Sequence, residues 1–221
     1  MNEGQFAALR QHMVAEIAAT TVLVGEQIGK YNLDARVMEI MGKVPRHEFV
    51  PLDLKPYAYL NRPLPIGFDK TISQPFIVAL MTDLLEIRED DIVLEIGTGL
   101  GYQAAVLAEL AHKVYSIEIL EELAVQARKR LDHAGYANIE IILGNGYHGW
   151  PEHAPFDKVI VTAAPDLIPP SLINQLKPGG RMAVPAGLPE SQQLILVVKD
   201  LDGKLSTKEI LPVRFSELEG A

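Results

Sequence analysis

The stretch Val93-Leu94-Glu95-Ile96-Gly97-Thr98-Gly99-Leu100-Gly101-Tyr102 decides how this chain is read. An apolar run ends in three glycines at alternate positions, and an alanine-rich segment follows to about Ala111. That order is strand, tight turn, helix. Glycine lets the backbone turn sharply and lets a ligand approach it closely. Such a turn also serves as a plain connection, so the glycines alone are a weak signal. The dinucleotide fingerprint G-x-G-x-x-G fits poorly, because the third glycine falls one place early and Tyr102 occupies the fingerprint position. A carboxylate at Glu95, just before the turn, suits a cationic ligand better than a pyrophosphate.

Strands and helices alternate outward from this turn. Lys113 to Glu118 reads as a second strand and Glu121 to His133 as a charged amphipathic helix. Ile139 to Leu143, Lys158 to Thr162, Arg181 to Pro185, Leu194 to Lys199 and Ile210 to Val213 read as further strands, with Gly179-Gly180 preceding the third of these. Upstream, Pro75 suits the first turn of a helix through Leu80 and Leu84, with Ser73 or Gln74 near its N-cap. Continuous apolar strands alternating with helices predict an α/β fold, a doubly wound, mostly parallel sheet with helices on both faces. Ligands of such sheets bind at the carboxyl ends of the strands. Glu118 ends the second strand, where a carboxylate can accept from ribose hydroxyls, a device that NAD proteins share.

The N-terminal third is different. Glu3 to Gln27 reads as an irregular amphipathic helix with Phe6, Leu9, Met13, Ile17 and Leu23 as its apolar side. Asp34 reads as the N-cap of a short helix through Val37, Ile40 and Met41. Pro45 to Gly67 is proline-rich and is expected to be extended and loop-like. The expected organisation is residues 1–70 as helices and a wrap packed on a ligand-binding domain of residues 71–221, together one structural unit.

The chain has 221 residues, a formal net charge of −9 and no cysteine. The charge argues against an electrostatic grip on nucleic acid. The missing cysteines exclude disulfides, thiolate metal sites and a cysteine nucleophile, and no metal site is expected. No apolar run approaches the ~20 residues of a membrane span. The opening MNEGQFAALR has no basic stretch followed by an apolar core, so no secretory signal is expected and a cytoplasmic location is the default.

Glu95 with the three following glycines resembles the first motif of class I S-adenosylmethionine-dependent methyltransferases, whose sheet is Rossmann-like. Further segments resemble one family, the protein-L-isoaspartate (D-aspartate) O-methyltransferases. They are LPIGFDKTISQPFIVALMTDLL (Leu64 to Leu85), VYSIE (Val114 to Glu118), GNGYHGWPEHAPFDKVIVTAAP (Gly144 to Pro165) and LKPGGRMAVPAG (Leu176 to Gly187). The resemblance runs from about Val44 to Gly187, and more weakly over Val213-Arg214-Phe215.

That resemblance implies methyl transfer from S-adenosylmethionine to L-isoaspartyl carboxylates of damaged proteins or peptides, by a protein that is usually monomeric. It implies Ser73 as the active-site serine, orienting the acceptor carboxylate. It implies cofactor contacts from Thr71, Glu95, Gly97, Thr98, Gly99, Gly101, Glu118, Ile119, Asn145, Gly146 and Thr162. The acceptor side would be Ile72, Ser73, Gln74, Val213 and Arg214. The chain departs from the family pattern at Asp69-Lys70, Phe76, Leu100, Asn145 and in the tail after Phe215, and its first helix is longer than usual. Two other readings follow from those departures: the same cofactor with a different acceptor, or a cofactor-binding protein with little catalysis.

Overall fold

The structure, a computed structural model, describes residues 1–220. The glycine turn lies where the sequence puts it, between strand β3 (Ile92–Ile96) and helix α5 (Tyr102–Ala108). The helix stops at Ala108, short of Ala111. Strand β4 (Lys113–Glu118), helix α6 (Glu121–His133) and strand β5 (Ile139–Leu143) follow with the expected bounds. Then come β6 (Phe156–Val161), the short helix α7 (Pro170–Asn174), β7 (Leu176–Ala186), β8 (Gln193–Lys199) and β9 (Leu205–Pro212).

The seven strands form one sheet in the order β5-β4-β3-β6-β7-β8-β9. From β5 to β7 neighbours are parallel, and β8 and β9 are antiparallel additions. The chain winds one way from β3 through β5 and the other way from β6 through β7. The switch point is therefore between β3 and β6, the place where such sheets hold ligands. Apolar clusters cover both faces. One joins Val93, Val114 and Ile160 to the N-terminal helices, and the other packs Leu94, Ile117 and Val159 against Trp150, Phe156 and Leu172.

Other elements differ from the sequence reading: the helix expected from Glu3 to Gln27 breaks at Val24, and α7 was not expected. Strand β7 starts at Leu176, ahead of Gly179-Gly180, because a proline-glycine run is tolerated at an irregular start. Strand β9 starts at Leu205 rather than Ile210; its first residues are exposed on the edge of the sheet and show no apolar alternation. The region expected to be loop-like holds two 3-10 turns (Arg46–Phe49 and Leu52–Tyr57) and a hairpin of β1 (Leu64–Gly67) and β2 (Lys70–Ile72). Its two turn residues, Phe68 and Asp69, both have positive φ (53° and 54°), as a tight type I′ turn demands.

The N-terminal segment forms α1 (Glu3–Leu23), α2 (Gly25–Ile28) and α3 (Ala35–Lys43). Asn2 and Gln5 cap α1 reciprocally, and the Asp34 carboxylate accepts from the Arg36 amide at the start of α3. Phe6, Met13 and Ile17 are buried, but Leu23 is 84% exposed and belongs to no core. Helix α4 (Pro75–Leu85) is almost wholly buried. Neither Ser73 nor Gln74 caps it through a side chain. Asn61 does so from a distance, its Oδ1 accepting from the Phe76 backbone amide at 3.0 Å while the Gln74 side-chain Nε2 donates to the Asn61 carbonyl.

Among the described residues no helix is long and apolar enough to cross a membrane, and no cluster of His, Asp and Glu could hold a metal ion.

Candidate active site

A cavity of about 770 Å³ opens over the carboxyl ends of β3, β4 and β6. Its floor is the glycine turn at Gly97 and Gly99, with Glu118 and Ile119 beyond it. Gly146 and Thr162 come from the loops after β5 and β6. Thr71, Ser73 and Gln74 form one wall, and Val213 and Arg214 begin another that continues to Glu219. Residues far apart in sequence, from the loop before α4 to the segment after β9, thus face one space.

Thr162 locks the floor, its hydroxyl donating to the Gly97 carbonyl at 2.7 Å and lying 3.0 Å from that of Ile96. Glu118 holds the turn from the side. Its Oε2 accepts from the Gly99 amide at 2.8 Å, and its Oε1 accepts from the amides of Ile119 and Leu120 at 3.0 Å each. The Gly99 amide, which a pyrophosphate would need, already serves a carboxylate. That fits a ligand without phosphate.

The remaining expected site residues do not line this cavity. Glu95 is completely buried: strand alternation turns Ile96 toward the cavity and Glu95 away. Its Oε2 accepts from the Ser116 hydroxyl at 2.5 Å, and Ser116 lies 2.6 Å from the Thr98 hydroxyl. Glu95 therefore supports the turn from beneath. Burial pushes its carboxyl up to about 8, so at neutral pH it is mostly uncharged and offers no anion to a cationic ligand.

Thr98 and Ile72 line a separate void of about 50 Å³ behind the turn. Gly101 faces helix α6: with φ of +96°, a Cβ there would come 3.0 Å from Leu131 Cδ1. Asn145 uses both ends of its amide on the protein, accepting from the Tyr147 amide at 2.9 Å and donating to the Gly220 carbonyl at 2.5 Å. Leu100, 3% exposed, packs into the core.

The structure also brings in residues that the sequence did not suggest. Thr20, Val24 and Gln27, from the end of α1 and from α2, line the cavity, as do Pro63, Phe76 and Ile77. No motif marks Thr20, Val24 and Gln27; the packing of α1 and α2 on the rest of the fold carries them there.

The raised Glu95 value has a testable consequence. The folded protein keeps a proton that the unfolded chain loses above the ordinary carboxylate range, so this group lowers stability as pH rises toward about 8. The slope is at most about 1.4 kcal/mol per pH unit for one proton. Glu95→Gln should flatten that part of the stability profile. Urea unfolding from about pH 5 to about pH 8 checks it; parallel profiles for parent and variant would refute the assignment.

Comparison with known proteins agrees with this geometry. A family model described as protein-L-isoaspartate(D-aspartate) O-methyltransferase matches residues 19–220. The chain belongs to that family. It is 70% identical over 221 residues to protein-L-isoaspartate O-methyltransferase 1 of Polaromonas sp. (strain JS666 / ATCC BAA-500), covering 100% of this chain and 94% of that one. It is 58% identical over 216 residues to protein-L-isoaspartate O-methyltransferase 2 of Syntrophobacter fumaroxidans, covering 97% and 87%. A solved protein-L-isoaspartate O-methyltransferase superposes with a TM-score of 0.81 at 29% identity, over 96% of this chain and 66% of that one. A Plasmodium falciparum structure described as a complex with S-adenosyl-L-homocysteine shares the fold, with a TM-score of 0.74 at 20% identity over 92% and 97%.

Proposed function

We propose that this protein methylates the free carboxylate of L-isoaspartyl residues in damaged proteins or peptides, using S-adenosylmethionine. The observation that carries the reading is convergence: the Thr71–Gln74 loop, the glycine floor with Glu118, and Val213–Arg214 all face one cavity. At about 770 Å³ the cavity is of small-molecule size. Gly97, Gly99 and Gly146 leave its floor open to close approach, and Glu118, whose carboxylate has about one lone-pair position left, is the ribose acceptor in this reading.

When bound, S-adenosylmethionine supplies a methyl carbon on a sulfonium, which an acceptor oxygen takes with release of S-adenosylhomocysteine. The acceptor carboxylate has an ordinary pKa near 4, so it is already the nucleophile at neutral pH and needs no base. The chain's work is alignment, which is worth ~7–11 kcal/mol of barrier in well-oriented systems. Ser73 is free of capping duty and donates a hydrogen bond that orients the carboxylate. Arg214, exposed at the cavity edge, offers a cation to the incoming anionic acceptor. The apolar walls exclude water, which favours a step that neutralises two opposite charges. The resulting ester can close to a succinimide, whose hydrolysis returns some normal aspartyl.

The decisive assay pairs an isoaspartyl peptide with its aspartyl isomer and labelled cofactor. Methylation of the first alone is expected; none with either, by protein that binds the cofactor, refutes the acceptor. Ser73→Ala should lower kcat about tenfold, the scale of one lost orienting hydrogen bond, with cofactor affinity unchanged. Full activity in that variant would remove Ser73 from the mechanism.

The same reading takes the protein as a cytoplasmic monomer that acts on neither nucleic acid nor membranes. The net charge of −9 supports the exclusion of nucleic acid, and sedimentation tests the monomer. Residues 1–70 and 71–221 are read as one structural unit, supported by an apolar cluster running from Phe6 to Leu211.

A further inference from the structure

Lys70 and the tail after Phe215 are two places where this chain departs from its family's pattern. In the structure they meet. The Lys70 ammonium pairs with the Glu219 carboxylate. Lys70 opens strand β2 beside Thr71, Glu219 belongs to the tail, and both line the cavity.

The other contacts holding the tail come from the sheet side. Gln192 brackets Phe215, its Oε1 accepting from the Phe215 amide at 2.6 Å and its Nε2 donating to the Phe215 carbonyl at 3.1 Å. Ala164 donates to the Ser216 carbonyl at 2.8 Å and accepts from the Leu218 amide at 2.9 Å. Asn145 donates to the Gly220 carbonyl. A carboxylate at position 145 could not make that last bond, because it has no N–H to donate. Lys70–Glu219 thus ties the tail to the hairpin that carries Thr71 and leads into Ser73. It also neutralises one of the two cationic side chains lining the space, leaving Arg214 as the other.

We infer that Lys70 is a positioning residue: through Glu219 it clamps the tail across the cavity and so sets acceptor affinity rather than the rate of methyl transfer. The clamp is a partly exposed ion pair, so its effect is modest and salt-sensitive. The effect on acceptor affinity rests on the function proposed above; the clamp itself does not.

The test is a charge swap. Lys70→Glu, Glu219→Lys and the double variant are compared with the parent, first without cofactor, by hydrogen exchange at the Leu218 amide. Each single variant should exchange about fivefold faster, and the double variant should return to the parent rate, the coupling expected of a direct pair. With an isoaspartyl peptide, each single variant should raise KM about fivefold at nearly constant kcat, and the swap should restore it. Unchanged exchange in the single variants, or no recovery in the double, overturns the clamp. Recovered exchange with kcat, not KM, altered overturns its role in acceptor binding. If the parent methylates no isoaspartyl peptide, the acceptor reading fails while the exchange result still decides the clamp.

Discussion

Replacing Gly97 by alanine is expected to lower affinity for S-adenosylmethionine by at least about a hundredfold. Two effects act at this position. Its φ is +94°, a conformation that costs a side-chain-bearing residue of order 1–3 kcal/mol. The new Cβ would also stand 2.4 Å from Thr162 Oγ1, too close for either to stay. Thr162 cannot swing aside cheaply, because its hydroxyl bonds the Gly97 carbonyl and lies within hydrogen-bond distance of the Ile96 carbonyl; overpacking of this kind costs ~1–3 kcal/mol more. The floor must therefore shift where the cofactor would lie closest to the backbone. Titration calorimetry measures the affinity, and a thermal melt shows that the variant is folded. Near-parental binding by Gly97→Ala would mean that the cofactor does not rest on this turn.

Much of this site can be read from the sequence, for definite reasons. Strong periodicity and clear punctuation mark β4, α6 and β5, and their bounds agree with expectation. The glycine turn and Glu118 follow from strand order alone. Glu95 is different. Strand β3 is buried on both faces, so apolar pattern does not reveal which face holds the carboxylate. An acid before the turn suggested a charge offered to the ligand; the structure makes it a largely neutral support under the turn. Asn145 was obscured by distance, since its partner Gly220 lies 75 residues away. Thr20 and Gln27 carry no motif and reach the cavity only through helix packing. The edge strand β9 escaped in part because an exposed edge needs no apolar alternation.

Glu118→Ala should be the second severe loss, and its causes can be separated. The carboxylate stands at the end of β4 with 6% exposure and joins the Gly99 amide to the amides of Ile119 and Leu120, where α6 begins. Removing it takes the acceptor from three part-buried donors at once, and a donor left buried without a partner costs ~1–3 kcal/mol. It also takes a negative charge from a helix N-terminus, where such a charge is favourable. Cofactor affinity should fall about 10- to 100-fold, the range of one charged hydrogen bond worth ~1.5–3 kcal/mol. Glu118→Gln should recover little, because one end of its amide carries N–H donors and would face amides that also donate. Comparing the natural cofactor with an analogue lacking both ribose hydroxyls isolates the ribose contact. The parent should bind the analogue less tightly, and Glu118→Ala should bind both alike. A variant that still prefers the hydroxyls would show that Glu118 organises the turn without touching the ribose.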